Sequence, residues 1–258
     1  MDKKINIFKI LFAICGSVGI YIVAYLLVIS LLAGIPGIKE MHTMYLNAVA
    51  MAIAAGAIVF TIRKEEIAFK IQTKPFLQVI AVVILAYASS AFFNFLLGMI
   101  PWHTIFEHDV TPDEAVFFGI PLWARMLCYE VVAPISEELL FRQVIYKRLR
   151  MISPIWIAVV ISAGLFGLYH GNLLQGIYAF IMGIFLALVY EWTGSVLAPI
   201  IFHMVANHLS DITYEAEMLG NVVYSWPSAV VAIFLMAMSL YILLKNKNKC
   251  SKNTLHSV

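Results

Sequence analysis

Charge is what this sequence has least of. Only 12% of its 258 residues are Asp, Glu, Lys or Arg, against 62% hydrophobic residues. A soluble domain carries about a quarter of its residues charged, so an ordinary water-facing surface is excluded. The formal net charge of +2 is too small to imply a nucleic-acid partner, and the basic residues stand in short clusters between apolar runs. Cysteine is scarce as well. Cys15, Cys128 and Cys250 form no CxxC pair and no even set, which leaves no disulfide framework or zinc ribbon to propose. There is no HExxH helix, no low-complexity segment and no internal repeat with a period of about 20 to 50 residues. No loop is long enough to hold a separate soluble domain. The chain therefore reads as one membrane domain, 1–258.

What it has in quantity is apolar runs. Crossing the hydrocarbon as a helix takes about 20 mostly apolar residues, because lipid offers the backbone no water to bond. Such runs lie at 10–33, 44–62, 76–100, 117–146, 154–169, 173–190, 196–212 and 226–244. The expected fold class is an all-α polytopic membrane protein of about eight transmembrane helices, placed in the plasma membrane. The start, Met1-Asp2-Lys3-Lys4, has the basic character of a signal peptide. Its first apolar run is longer than the roughly 7 to 15 residues of a cleavable core, so a retained first helix is expected.

The positive-inside rule supplies an independent test. Lys3, Lys4 and Lys9 precede the first run, and Arg63, Lys64, Lys70 and Lys74 join the second to the third. Lys147, Arg148 and Arg150 join the fourth to the fifth, while Lys245, Lys247, Lys249 and Lys252 follow the eighth. These are 14 of the 17 basic residues, all on one side of an eight-span arrangement. The opposite connections hold Glu107, Asp109, Asp113, Glu114, Asp211, Glu215 and Glu217, with Lys39 the lone base there. Both termini are then expected in the cytoplasm.

Ionisable residues inside a spanning helix cost on the order of 3 kcal/mol each, so each needs a reason. The fourth run contains Ala133-Pro134-Ile135-Ser136-Glu137-Glu138-Leu139-Leu140-Phe141-Arg142. At α-helical spacing Glu138 and Arg142 share a face, whereas Glu137 lies about 140° from Arg142. Glu138 is then neutralised as a buried pair, and Glu137 is left to face a polar cavity as a poorly solvated carboxylate suited to general-base work. Pro134 is expected to kink the helix just before them. Glu130, about two turns earlier, suits either the same cavity or helix packing.

The fifth run ends Phe166-Gly167-Leu168-Tyr169-His170-Gly171-Asn172, and the seventh reads Phe202-His203-Met204-Val205-Ala206-Asn207-His208. His203 and Asn207 are i and i+4, so they project from one face as adjacent hydrogen-bonding groups, with Asp211 continuing the stripe. A lone helical histidine is more often a packing residue, and His208 and the loop residues His103 and His108 are read that way. Counting rises from the cytoplasmic ends puts Glu137 about 15 Å deep, His170 about 22 Å, His203 about 10 Å and Asn207 about 16 Å. Those depths are compatible with one cavity.

Glu137-Glu138-x-x-x-Arg142, Phe166-x-x-x-His170 and His203-x-x-x-Asn207 resemble, in order and spacing, the three signatures of the CPBP intramembrane proteases. That family is also called Abi and includes the type II CAAX prenyl endopeptidases. The resemblance covers Pro134 to Asn207, inside a signature core of about 117–212. It implies hydrolysis of a peptide bond, with Glu137 and His170 activating water and His203 and Asn207 stabilising the oxyanion, while Glu138, Arg142 and Phe166 support the site. No cofactor is expected to be required. Zinc is the alternative, since Glu137, His170 and His203 could make a His₂Glu set, although asparagine is a poor zinc ligand. The expected partners are the bilayer and a membrane-associated or lipidated peptide or protein substrate. The competing function class is non-enzymatic: a proton-coupled transporter or a bacteriocin-immunity-type peptide-binding protein. A relay through the membrane would string ionisable groups along more helices than this sequence does, and the third and eighth runs have none.

Overall fold

A computed structural model of the chain describes residues 6–35, 43–62, 67, 69, 71, 74–101 and 120–247. Among them there is no strand, and each of the eight apolar runs falls on helix. The first three are α1 (Ile7–Ala33), α2 (Thr43–Thr61) and α3 (Pro75–Gly98). Asn6 caps α1 by accepting the Lys9 N–H at 3.2 Å, and Pro75 opens α3 where its missing N–H is harmless. After α4, described below, come α5 (Ile155–Tyr169), α6 (Leu173–Thr193), α7 (Leu197–Glu215), α8 (Glu217–Val223) and α9 (Trp226–Lys245). α8 has no counterpart in the apolar pattern. His103, His108, Lys39 and the acidic residues between 107 and 114 lie outside the described residues, as do several of the basic positions.

By length and composition α1, α2, α3, α6 and α9 are long and apolar enough to cross a membrane, and α5 is a shorter apolar helix. The surface agrees. Phe8, Phe12, Phe76 and Leu168 point outward, while Gln78, Ser89, Ser90, Ser162 and Ser239 are fully buried. Water would favour the opposite distribution; lipid favours this one. The chain is an integral, multi-pass, all-α membrane protein.

α4 is composite. It runs through α-helical Leu122–Arg125, π-helical Met126–Val132, α-helical Ala133–Glu138, π-helical Leu139–Tyr146 and α-helical Lys147–Ile152. Proline clashes with the carbonyl four residues back in a regular helix. Here the stretch before Pro134 is wound more widely, with the Ala133 N–H bonded to the Cys128 carbonyl five residues earlier. Where the sequence leads one to expect a kink, the helix accommodates the proline with a π segment.

The chain divides into two compact units. The first comprises α1, α2 and α4. Its α2 presents Ala48, Ala50, Ala54 and Ala55, all buried, and such small residues let neighbouring helices approach closely. Tyr25 donates to Asn47 Oδ1 at 2.8 Å, tying α1 to α2. Ser136 donates to the Met51 carbonyl at 3.1 Å, tying α2 to α4 beside Glu137.

The second unit comprises α3, α5 from Val159 onward, and α6 to α9. α3 packs on α7 and α9. Phe93, Phe185 and Phe202 link α3, α6 and α7 through successive ring contacts of 5.9 and 6.4 Å. α5 and α6 meet backbone to backbone, so that a Cβ on Gly167 would stand 2.7 Å from the Gly176 carbonyl oxygen. Glycine is required there because of that approach.

Candidate active site

In the first unit, the Ala133–Glu138 segment and the π turn after it place three ionisable side chains in the interior. Glu137 is 7% exposed, and Glu138 and Arg142 are completely buried. Arg142 Nε stands 3.0 Å from Glu138 Oε2, an ion pair one turn long. Glu137, one residue before that pair, is close enough for its charge to act on the Arg142 guanidinium as well. Glu130 and Arg125, on the preceding π segment and its edge, are buried as well.

The second unit carries the histidines. α5 ends at Tyr169, and the chain turns through His170 and Gly171, whose φ of +68° lies in the left-handed region that glycine tolerates. Asn172 then caps α6 by accepting the Gln175 N–H at 3.0 Å. His170 Nδ1 lies 2.8 Å from the Phe166 carbonyl oxygen. A carbonyl only accepts, so Nδ1 carries the proton and the neutral ring has its lone pair on Nε2. That tautomer is the one a proton acceptor needs.

Phe166 is buried and lies edge-on to both histidines. Its ring centroid is 4.9 Å from that of His170 and 5.6 Å from that of His203. One aromatic side chain on α5 therefore orients a histidine on its own helix end and another on α7. His203 is buried, and Asn207 follows one turn later on α7, partly buried. Asp211 is buried another turn on, so the stripe read from the spacing is present on α7. His208 is exposed and not packed into the interior, because it falls about 100° round α7 from the centre of that stripe.

Spacing of ionisable residues gave no notice of a second feature on α7, a cluster of neutral hydrogen-bonding groups. Tyr178 and Ser90 are 2.8 Å apart through their hydroxyls, Asn94 Nδ2 donates to Ser90 and Ser210, and Thr213 bonds the Tyr224 hydroxyl at 2.7 Å. Tyr224 lies in the connection between α8 and α9, and burial pushes its phenol above the ordinary value. It therefore remains a neutral hydrogen-bonding group over the physiological range. The available signal was the Ser89-Ser90 and Asn94 pattern inside an otherwise apolar α3.

Zinc binding requires three or four His, Cys, Asp or Glu ligands gathered together. Among the described residues of either unit no three such side chains form a metal-holding group. With Asn207 a poor zinc ligand besides, no step below is routed through a metal.

Helices with apolar exteriors, buried carboxylates in one unit and a buried histidine in the other define a class: membrane-embedded proteins with ionisable groups inside their helical units. Comparison with known proteins narrows it. A family model described as type II CAAX prenyl endopeptidase Rce1-like matches residues 119–209, which contain all three motifs. The chain is similar to the membrane-embedded CAAX protease MroQ of Staphylococcus aureus (strain USA300), at 25% identity over 63% of this chain and 70% of that protein. It is also similar to the UPF0177 protein YbdI of Lactococcus lactis subsp. lactis (strain IL1403), at 31% identity over 52% of this chain and 70% of that one. No solved structure matches the chain significantly. The chain belongs to the Rce1-like, type II CAAX prenyl endopeptidase family of membrane proteases, the CPBP family of the motif resemblance.

Proposed function

We propose that this protein is an intramembrane endopeptidase that hydrolyses a peptide bond in a membrane-associated or lipidated peptide or protein. Glu137, assisted by His170, takes a proton from water as its oxygen attacks the scissile carbonyl carbon. His203 and Asn207 donate hydrogen bonds to the oxyanion that forms. The proton held by Glu137 then passes to the departing amine nitrogen as the C–N bond breaks, which returns the carboxylate to its starting form.

The observation that carries the reading is a second buried carboxylate, Glu137, next in sequence to the Glu138–Arg142 ion pair. A structural ion pair accounts for one of the two; a general base on this helix would be the other. The Nδ1–H that His170 donates to the Phe166 carbonyl supports the same reading, as does the family membership. The charge pattern of the connections supports eight crossings with both termini in the cytoplasm, which gives the substrate entry from the cytoplasmic side or the inner leaflet.

The test is a comparison of purified wild-type protein and Glu137→Gln on a library of peptides in detergent and in liposomes. Wild type should cleave a subset, and Glu137→Gln should lose cleavage while keeping its yield and melting temperature. Equal cleavage by Glu137→Gln would overturn the role of Glu137. A wild-type protein that cuts no library peptide, and whose removal from cells leaves the membrane peptidome unchanged, would overturn the endopeptidase reading.

A further inference from the structure

The neutral cluster on α7 closes into a ring around one backbone oxygen. Ser90 Oγ donates to the Ala206 carbonyl at 3.4 Å, and Ser210 Oγ donates to the same carbonyl at 3.2 Å. Asn94 Nδ2 donates to both of those hydroxyls, at 3.3 Å each. One assignment of the protons satisfies all of these contacts at once. A serine hydroxyl has one proton and two lone pairs, so with its proton on Ala206, Ser90 must accept from Asn94 and from Tyr178. Asn94 uses both amide protons, and every donor in the ring is spent.

We propose that Ser90, Asn94 and Ser210 are positioning residues that hold the Ala206–Asn207 peptide unit, and with it the Asn207 side chain, in a fixed orientation. The oxygen they grip belongs to the same planar peptide as the Asn207 nitrogen, so rotation of that plane displaces Asn207 directly. The helical bond to Ala206 alone resists this weakly, because one bond allows tilting; three donors from two helices do not. All of the groups in the ring itself are neutral. The catalytic consequence rests on the endopeptidase reading above; the grip on the peptide does not. An oxyanion donor is useful only when its position is fixed before the charge develops, and the ring fixes it from the α3 side.

The sequence makes the test selective, because Ala206-Asn207 is its sole Ala-Asn step. Protein labelled with carbonyl-¹³C alanine and ¹⁵N asparagine gives one correlated signal, from this peptide. Ser90→Ala and Ser210→Ala should each move that signal, and Ser210→Thr, which retains the hydroxyl at a partly exposed position, should return it to the wild-type place. In turnover with a cleaved library peptide, Ser210→Ala should lower kcat about tenfold to a hundredfold with KM unchanged, and Ser210→Thr should restore it. Should Ser90→Ala not fold, the Ser210 pair decides the matter. A signal that stays in place in the alanine variants, or a Thr variant that behaves like Ala, would overturn the ring. A signal that moves while kcat holds would overturn its catalytic purpose. A wild-type protein that cleaves nothing would count against the endopeptidase reading alone, and the signal would still judge the grip on Asn207.

Discussion

The two units differ in the polar groups they gather in the interior, although each buries acid, Asp211 on α7 being the second unit's. The first unit buries charge. Glu137, Glu138 and Arg142 lie within six residues of α4, and their mutual attraction offsets what each would cost alone in a medium without water. The second unit brings a row of neutral side chains into its interior. Ser90, Asn94, Tyr178, Ser210, Thr213 and Tyr224 satisfy one another by hydrogen bonds without any ion pair among them. A charged cluster depends on its partners absolutely, since removing one leaves an uncompensated ion. A neutral ring degrades by steps, because each bond is worth about 0.5 to 1.5 kcal/mol and the remaining members still have partners. The difference suits the proposed roles: a base must carry charge, whereas oxyanion donors must stay neutral and still.

The sharpest way to break this contrast is Arg142→Ala. It leaves the fully buried Glu138 without the cation it pairs with, and losing one partner of a buried pair typically costs about 3 to 5 kcal/mol. The expected result is a large fall in monodisperse protein recovered from membranes and in its melting temperature in detergent, well beyond that of any single change in the Ser90 ring. Normal yield and stability with lost activity would instead make Arg142 a catalytic or substrate-binding group.

Packing provides a middle-sized test inside the second unit. Gly167→Ala would put a methyl group 2.7 Å from the Gly176 backbone oxygen, while the space around Gly164 is open to at least 4 Å. Both glycines sit on α5, so helix propensity rises equally for the two changes. Overpacking typically costs about 1 to 3 kcal/mol. Gly167→Ala should therefore lower the melting temperature and Gly164→Ala should not. Equal responses would mean that the α5–α6 contact does not limit stability.

Much of this contrast could be read from the sequence, and the part that could not has a physical cause. Apolar run length located eight of the nine described helices, because an unsatisfied backbone is costly in lipid and such runs favour helix. The Glu138–Arg142 spacing located the ion pair, since i and i+4 are neighbours in any helix near α geometry. The π winding over Leu139–Tyr146 was not legible, because every residue there is buried and no alternation of polar and apolar positions marks the change of period. The Ser90 ring was missed for a related reason: serine and asparagine change the hydropathy of a run very little, and their partners come from helices distant in sequence. α8 was missed because seven residues with one buried turn carry no periodic signal. His208 was expected to pack, but a histidine facing outward on a helix has the same spacing as one facing in.

The smallest expected effect is none at all, from chelation. In the proposed scheme water is activated by Glu137 and His170, and His203 is a donor to the oxyanion. Removing such a donor typically costs on the order of 10² to 10³ in rate, so His203→Ala should be slow but release no metal. A zinc enzyme would behave otherwise, because the ion would hold the attacking water with a pKa of about 7 and His203 would be one of its ligands. His203→Ala would then lose metal and activity together. Active protein dialysed exhaustively against a chelator should keep its rate, and elemental analysis should find far less than one zinc per chain. One equivalent of zinc, with activity lost on its removal and restored on its return, would replace the glutamate scheme with a metal-centred one and reassign His203 from donor to ligand.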